Sequence, residues 1–471
     1  MFEKFEVKGK WWLPENPERT VHGTLSYSSD TGAILHVMES FESVTMENFY
    51  DNLYEYDIIN GLAGPAGTEI TLYRCYIKSF HPQLYARAVS LEYCARVVFK
   101  GHNFKKISDI KFRNGRINYN YLELWMSRLA MTLTPLENGN LTVTTNSLKP
   151  LIARIDDNLK ISLVSFVEHS SSWEHDGYTL IFKQKACVDI ETSTDIDFDQ
   201  FMEISSKIQQ FFIIAINEPI WIQDLEILVS EKGEKDKNVQ VFLRIQRDFL
   251  GKNKSIHPSE MPFSFDIISD KFEMILKNWF EKNPLLGPVF NLYFALQYSD
   301  KMYIEHRFLN LVSFLESYHR RRFDGQFLLD QNYLEFQQKI RESIPEIKDD
   351  NYADFRDKFI GSFKYGNELN LRKRLKLIYD DNKPIIRKYI KDRDQFVDRV
   401  ISTRNYRTHF DKDLEGVAIS DLRDYIEYNL KLKMLVEVCI LKELGFGVNE
   451  IETIFSRNRE YEKMLSPTPD S

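Results

Sequence analysis

The sequence predicts an α+β protein, in which a β-rich, sandwich-like N-terminal region is followed by an all-α helical bundle. Three observations predict it. Runs of β-branched and aromatic residues with partial period-two alternation fill the first half, and apolar stripes at helical spacing fill the second. Between them, residues 251–266, GKNKSIHPSEMPFSFD, combine Gly, two prolines and Ser, and the periodicity changes on either side. The expected organisation is a β-rich domain over 1–250, in one layer or two sub-layers, a hinge over 251–270, a bundle over 271–465 and a frayed tail over 466–471.

Taken in order, Glu69–Ile77, Leu91–Phe99 and Val239–Ile245 read as strands, because β-branched and aromatic side chains suit a pleated, half-buried surface. Turn chemistry separates such runs at Ser29–Gly32, Asn60-Gly61, Gly64-Pro65 and Asn138-Gly139. One helix interrupts the strands at Asp199–Gln210, where Phe201, Ile204 and Ile208 recur at helical spacing. Trp11, Trp12, Trp125, Trp173 and Trp221 either fill the β core or offer a stacking surface. After the hinge, residues 301–322 put Ile304, Phe308, Leu311 and Leu315 on one stripe. Residues 384–403 start with Pro384 in the first turn and carry Ile386, Ile390, Phe396, Val397 and Val400. Residues 421–444 carry Leu422, Ile426, Leu430, Met434 and Val438 at i+4, with Ser420 as N-cap and Gly445 as C-cap. Helices with such stripes bury them against one another.

Composition narrows the function. A chain of 471 residues, 43% hydrophobic and 28% charged, has room for two or three cores and no sign of general disorder. The longest apolar run, Phe211–Ile216, falls far short of the ~20 residues that span a bilayer, so no membrane helix is expected. The opening MFEKFEVKGKWW scatters charges where a secretory signal needs an apolar stretch, and the expected location is cytoplasmic. Cys75, Cys94, Cys187 and Cys439 are widely spaced, which fits reduced thiols and no metal site. A net charge of −8 excludes a general nucleic-acid coat. The balance is uneven: residues 301–471 hold 31 Lys+Arg against 30 Asp+Glu, the rest 31 against 40. A polyanion is better met by the C-terminal part.

The stretch RNYRTHF, residues 404–410, raises the question of chemistry. Spacings of the Arg-x4–6-His kind occur about twice by chance in such a chain, and three are present, Arg74/His81, Arg96/His102 and Arg404/His409. Counting decides nothing. The first two fall on or just beyond strand-like runs, where solvent-facing or edge positions are the simplest reading. Arg404 continues the stripe of Val397 and Val400, so it points toward a packed face, and burying an arginine is costly unless it is paired or serves a polyanion. His409 lies about 140° round a continuous helix from Arg404 and shares its face only if the helix ends or bends between them, and Thr408 with the polar loop of Asp411-Lys-Asp413 and Gly416 is expected to supply that ending. Asn405 and Arg407 complete a polar cluster. Such a cluster either ties two helices together or cleaves a phosphodiester without metal. An imidazole, titrating near neutrality, exchanges the protons, and a guanidinium holds the phosphorane charge.

Arg404-Asn405-x-x-x-His409 resembles the Arg-Asn-x-x-x-His form of the HEPN ribonuclease signature, and FLNLVSFLESYHRR, residues 308–321, resembles the first helices of ApeA-like HEPN domains. The N-terminal half, from FEVKGKWW at residues 5–12 onward, is similar to the β-rich domain preceding HEPN in ApeA-type anti-phage proteins. The resemblance implies a metal-independent endoribonuclease of abortive infection that needs no cofactor and leaves a 2′,3′-cyclic phosphate and a 5′-OH. It implies a homodimer or higher homo-oligomer formed through the HEPN domain, with RNA in a shared cleft and a phage-derived activator sensed by the N-terminal domain. Arg404 would stabilise the transition state, His409 would act as acid and base, and Asn405 would position His409 or the phosphate. The alternative is a non-catalytic RNA-binding or oligomerisation module. Glu316, His319 and Arg320 either line the same cleft or form an exposed helix end, and runs such as Arg372-Lys-Arg374 either extend an RNA track or are solvated.

Overall fold

The computed structural model describes residues 2–41, 55–83, 88–136, 139–230, 235–245, 255–299, 301–323 and 325–465. The expected tail, the first residues of the expected hinge and Asn138 lie outside these. The chain separates into two compact units, Met1–Phe280 and Glu281–Ser471.

Unit 1 is built on strands β1 (Phe5–Trp12), β2 (Val21–Ser28), β3 (Gly32–Val37), β4 (Glu55–Ala63), β5 (Thr68–Gln83), β6 (Ala88–Lys100), β7 (Lys111–Tyr119), β8 (Met131–Pro135), β9 (Leu141–Thr145), β10 (Leu151–Arg154), β11 (Leu159–Glu174), β12 (Gly177–Asp197), β13 (Ile222–Val229) and β14 (Lys237–Leu243). Helices α1 (Leu122–Met126), α2 (Phe198–Ile216) and α3 (Phe265–Ile268) interrupt or follow them. The main sheet runs β10-β11-β12-β7-β13-β14-β6-β3-β2-β1-β4-β5, and β5 returns to pair with β6, so β1–β6 close into a barrel. The remaining strands extend the sheet from β6, whose residues 91–95 pair with β3 while residues 97–100 pair with β14.

Side-chain size explains how the layers meet. α2 starts at Asp197, which accepts from the backbone N of Gln200 at 2.8 Å while the Gln200 side chain accepts in return. It crosses β7 at Gly115, where an added Cβ would lie 2.4 Å from the Phe201 ring. Tyr119 of β7 donates to the Ser205 carbonyl at 2.9 Å. Trp11, Trp125 and Trp221 are core residues, whereas Trp173 is 82% exposed near the end of β11, its ring 4.8 Å from that of Tyr178.

Two expectations for unit 1 change. Asn60-Gly61 is not a turn but part of β4: Asn60 is buried and donates to the Phe104 carbonyl at 2.8 Å, and Gly61 leaves the space that the Trp11 ring occupies. The segment expected as a hinge is anchored in unit 1, because Met261, Phe263, Phe265 and Ile268 are buried and Trp125 donates to the Phe263 carbonyl at 2.8 Å. Each such apolar side chain contributes about 1.5–3 kcal/mol when buried. The division between units falls later, inside α4 (Phe272–Tyr298). The turns at Gly32, Gly64 and Gly139 are present, each glycine at positive φ.

Unit 2 is all helical, with the C-terminal part of α4 followed by α5 (Ile304–Phe323), α6 (Asp330–Ser343), α7 (Tyr352–Ser362), α8 (Leu371–Ile386), α9 (Arg393–His409), α10 (Leu422–Leu444), α11 (Val448–Arg457) and α12 (Arg459–Leu465). α5 and α10 pack along Phe308, whose ring lies 5.9 Å from that of Tyr425, and are pinned at the other end by Tyr318, which donates to Glu443 at 2.7 Å. Glu437 is buried and accepts from Tyr293 at 3.2 Å and from Tyr461 at 2.5 Å, tying α4 and α12 to α10. Pro384 sits in the last turn of α8, not the first turn of a new helix; the new helix begins beyond Asp392, which accepts from the backbone N of Gln395 at 2.9 Å. Asp421, not Ser420, caps α10, and Gly445 ends it at φ 97°. The stripe expected on α10 is only half buried: Met434 and Val438 are core, while Leu422 and Ile426 are exposed. No helix among the described residues is long and apolar enough to cross a membrane.

Candidate functional site

RNYRTHF occupies the last turns of α9. Phe396, Val397, Val400 and Thr403 form the buried face of this helix. Thr403 fixes its end, donating to the Arg399 carbonyl at 2.7 Å and accepting from the backbone N of Ile419 at 3.0 Å. The helix does not end between Arg404 and His409 as the shared-face argument required: it runs through His409 and stops at Phe410, a left-handed residue at φ 51° whose N–H donates to the Tyr406 carbonyl at 2.7 Å. Arg404 and His409 therefore leave the helix about 140° apart.

Arg404 is half-buried and donates through Nη1 to Asn405 Oδ1 at 3.1 Å. No carboxylate pairs with it among the described residues. His409 is exposed. Arg407 is engaged elsewhere: Nε donates to Tyr425 Oη at 2.7 Å, the guanidinium lies over the Tyr406 and Tyr425 rings, and Nη2 is 3.7 Å from Glu305. These contacts brace the end of α9 against α10 and α5. Burial raises the Tyr425 phenol, and the Arg407 hydrogen bond works against that rise.

The residues on α5 behave differently. His319 is 4% exposed, and its Nδ1 accepts from the Arg374 guanidinium at 3.1 Å. Arg374 is 1% exposed and also donates to the Leu369 carbonyl at 2.7 Å. Burial, and then the Arg374 charge, push the His319 imidazole below its ordinary value, so it stays neutral. Arg320 pairs with Glu316 at 3.4 Å and with Glu368 at 3.1 Å. Arg374 is thus closed off from any RNA track, and His319 is packed rather than presented. Of the other two Arg/His spacings, Arg74 pairs with Asp199 at 2.7 Å, and His102 is buried with its ring 4.5 Å from that of Phe104, not solvent-facing.

Sequence reasoning missed a cleft of about 630 Å³ in unit 1, lined by Lys4, Lys100, Arg116, Lys185, Asp224 and Glu226 among others. Burial, reinforced by Asp224, raises the Glu226 carboxyl. The lining residues of this cleft come from Lys4 ahead of β1 and from β6, β7, β12 and β13, far apart in sequence, so no local motif marks them.

Comparison with protein families adds two findings. The family model of ApeA N-terminal domain 1 matches residues 6–279, and that of Apea-like HEPN matches residues 309–450, a span that holds Glu316, His319, Arg320, Arg404, Asn405, Arg407 and His409. No curated protein and no solved structure matches the chain.

Proposed function

Because the chain belongs to the family of the ApeA N-terminal domain 1 and carries an Apea-like HEPN region, an anti-phage nuclease lineage, we propose that it is a metal-independent endoribonuclease acting in abortive infection. The observation that carries this reading is Arg404, a half-buried cation bound to Asn405 without a carboxylate partner among the described residues, on the same helix end as exposed His409. A guanidinium left unneutralised in this way is matched by a phosphate.

The steps follow from the groups. The His409 imidazole takes the proton of a ribose 2′-OH, the oxygen attacks the adjacent phosphorus, and Arg404 meets the charge that builds on the phosphorane. The bond to the 5′-oxygen breaks, and an imidazolium returns the proton to it, leaving a 2′,3′-cyclic phosphate and a 5′-OH. Asn405 orients Arg404. Since Arg404 and His409 diverge on one helix, two copies complete the cleft, as a homodimer or a larger homo-oligomer in the cytoplasm. Unit 1 takes the sensing role, answering a phage-derived activator.

The test is Arg404→Ala and His409→Ala in cells challenged with phage, followed by counting new 5′-OH ends in total RNA. Folded variants that still cleave and protect overturn the catalytic assignment. One observation favours a second reading. Residues 411–427, directly after the motif, carry six carboxylates against two cations, which suits a protein contact better than RNA and so favours an oligomerisation module. Under that reading the activated parent chain gives no new 5′-OH ends.

A further inference from the structure

The two faces of the β7–β13 strand pair are used differently. α2 packs on one, where the Phe201 ring sits over Gly115 and Tyr119 bonds to Ser205. Period-two alternation turns Arg116 and Glu226 to the other face, which opens into the cleft of about 630 Å³. A cleft of this size holds one small ligand. The strand registers set a row of side chains across this face: Asp189 of β12 stands opposite Arg116 of β7, then come Glu226 of β13, Gln240 of β14 and Lys100 of β6. Arg116 is committed to Asp189 by two hydrogen bonds, of 2.7 and 2.8 Å.

The other charged groups keep capacity for a ligand. Glu226 is half-buried, and no donor hydrogen-bonds to it among the described residues. Lys100 and Lys185 are half-buried too, and neither has a carboxylate within ion-pair distance among the described residues. Lys100 lies over the Phe5 ring at 5.5 Å, and Phe166, the cross-strand partner of Lys185, adds a second ring to the cleft wall. A ligand that satisfies this set carries an anion for the lysines, N–H donors for the carboxylate and a flat ring for the phenylalanines. Adjacent strands lie about 4.8 Å apart, so Glu226 and Lys100, two strands apart, are separated by about 10 Å, the reach of a mononucleotide from base edge to phosphate. A peptide suits the floor less well, because β13 and β14 are each paired on both sides and leave no edge for an added strand. A carboxylate accepts two hydrogen bonds side by side. Among the common bases guanine presents paired donors, at N1 and N2, whereas adenine and cytosine set a donor beside an acceptor.

We propose that this cleft binds a guanine nucleotide, with Glu226 accepting from N1 and N2 of the base, the base ring against the phenylalanine wall, and Lys100 and Lys185 meeting the phosphate. The site belongs to unit 1 alone, and it stands whether or not unit 2 cuts RNA. Free GMP and a 5′-phosphorylated RNA end share the chemistry it recognises.

The test is isothermal titration calorimetry of the full chain with GMP, AMP, guanosine, inorganic phosphate and the dinucleotide pGpA. The parent should bind one GMP per chain, about 10-fold or more tighter than AMP, guanosine or phosphate. Lys100→Gln and Lys185→Gln should each weaken GMP about 10-fold and leave guanosine unchanged. Glu226→Gln keeps the shape but presents one acceptor and one donor, so it should weaken GMP about 10-fold and move the preference to AMP, a reversal that a merely structural role would not give. A urea midpoint near the parent's shows that each variant is folded. A parent that does not bind GMP, or binds AMP or phosphate as tightly, overturns the proposal. So do lysine variants that leave GMP unchanged, or a Glu226→Gln chain that still prefers GMP. Binding of pGpA as tight as that of GMP assigns the site to an RNA end, and weaker binding assigns it to the free nucleotide.

Discussion

Unit 2 contains two arginine–histidine pairs that differ in everything but composition. Arg374 and His319 bridge α8 and α5 inside the protein, bonded to each other at 3.1 Å. Arg404 and His409 share the end of α9, diverge, and reach the surface. The buried pair spends its hydrogen-bonding capacity on neighbouring groups and so holds structure. The open pair has capacity left for a ligand. The same side chains thus meet opposite surroundings, one pair bonded inside the protein and the other left open at a helix end.

The largest effect that tests this contrast is catalytic. Arg404→Ala or His409→Ala should lower RNA cleavage by about 10²–10⁴-fold, read as 5′-OH ends formed per unit time, while the urea unfolding midpoint stays near that of the parent. A loss of fold instead of activity would erase the distinction between the pairs. Next, Arg374→Ala should cost about 2–5 kcal/mol of stability in urea titration, with cleavage per folded molecule retained, since it leaves the Leu369 carbonyl and the neutral His319 Nδ1 without this donor.

Tyr461→Phe extends the contrast to a buried carboxylate. It removes the 2.5 Å hydrogen bond to Glu437 and should cost about 1.5–3 kcal/mol in the same titration, again without a direct effect on cleavage. The smallest effect is a matter of pH. The folded state binds the His319 proton less readily than the unfolded chain does, so this group contributes nothing above its ordinary value of 6.5 and lowers stability as the pH falls below it. The slope is at most about 1.4 kcal/mol per pH unit, and His319→Gln, which can still accept from Arg374, should flatten it in a series of midpoints between pH 7 and 5.

Much of the architecture was legible where periodicity and burial coincide. The stripe of Ile304, Phe308, Leu311 and Leu315 is α5, and the apolar recurrence from Phe201 to Ile208 is the first half of α2. The ApeA-type, HEPN-containing organisation was legible too, from the order of its motifs. Errors arose where local chemistry is overruled by distant contacts. Asn60-Gly61 has turn composition, but Trp11 and Phe104, far off in sequence, hold it in a strand. Pro384 suits a first turn, yet it tolerates the last turn of α8 as well. Leu422 and Ile426 belong to a stripe that looks continuous with Met434 and Val438, because periodicity reports which residues share a face and not whether anything covers it. For the same reason nothing in RNYRTHF distinguished its open pair from the closed one on α5 and α8.

The double pairing of β6 has a practical consequence for anyone dissecting the first unit. Its residues 97–100 bond to β14, which arrives some 140 positions later in the sequence, while the neighbouring stretch 91–95 closes the barrel through β3. A fragment trimmed to the first hundred residues would keep the barrel strands yet expose a raw sheet edge at Val97–Lys100, a template for aggregation. Any shortened version meant to be soluble has to retain Lys237–Leu243, so the barrel and its extension stand or fall as one piece.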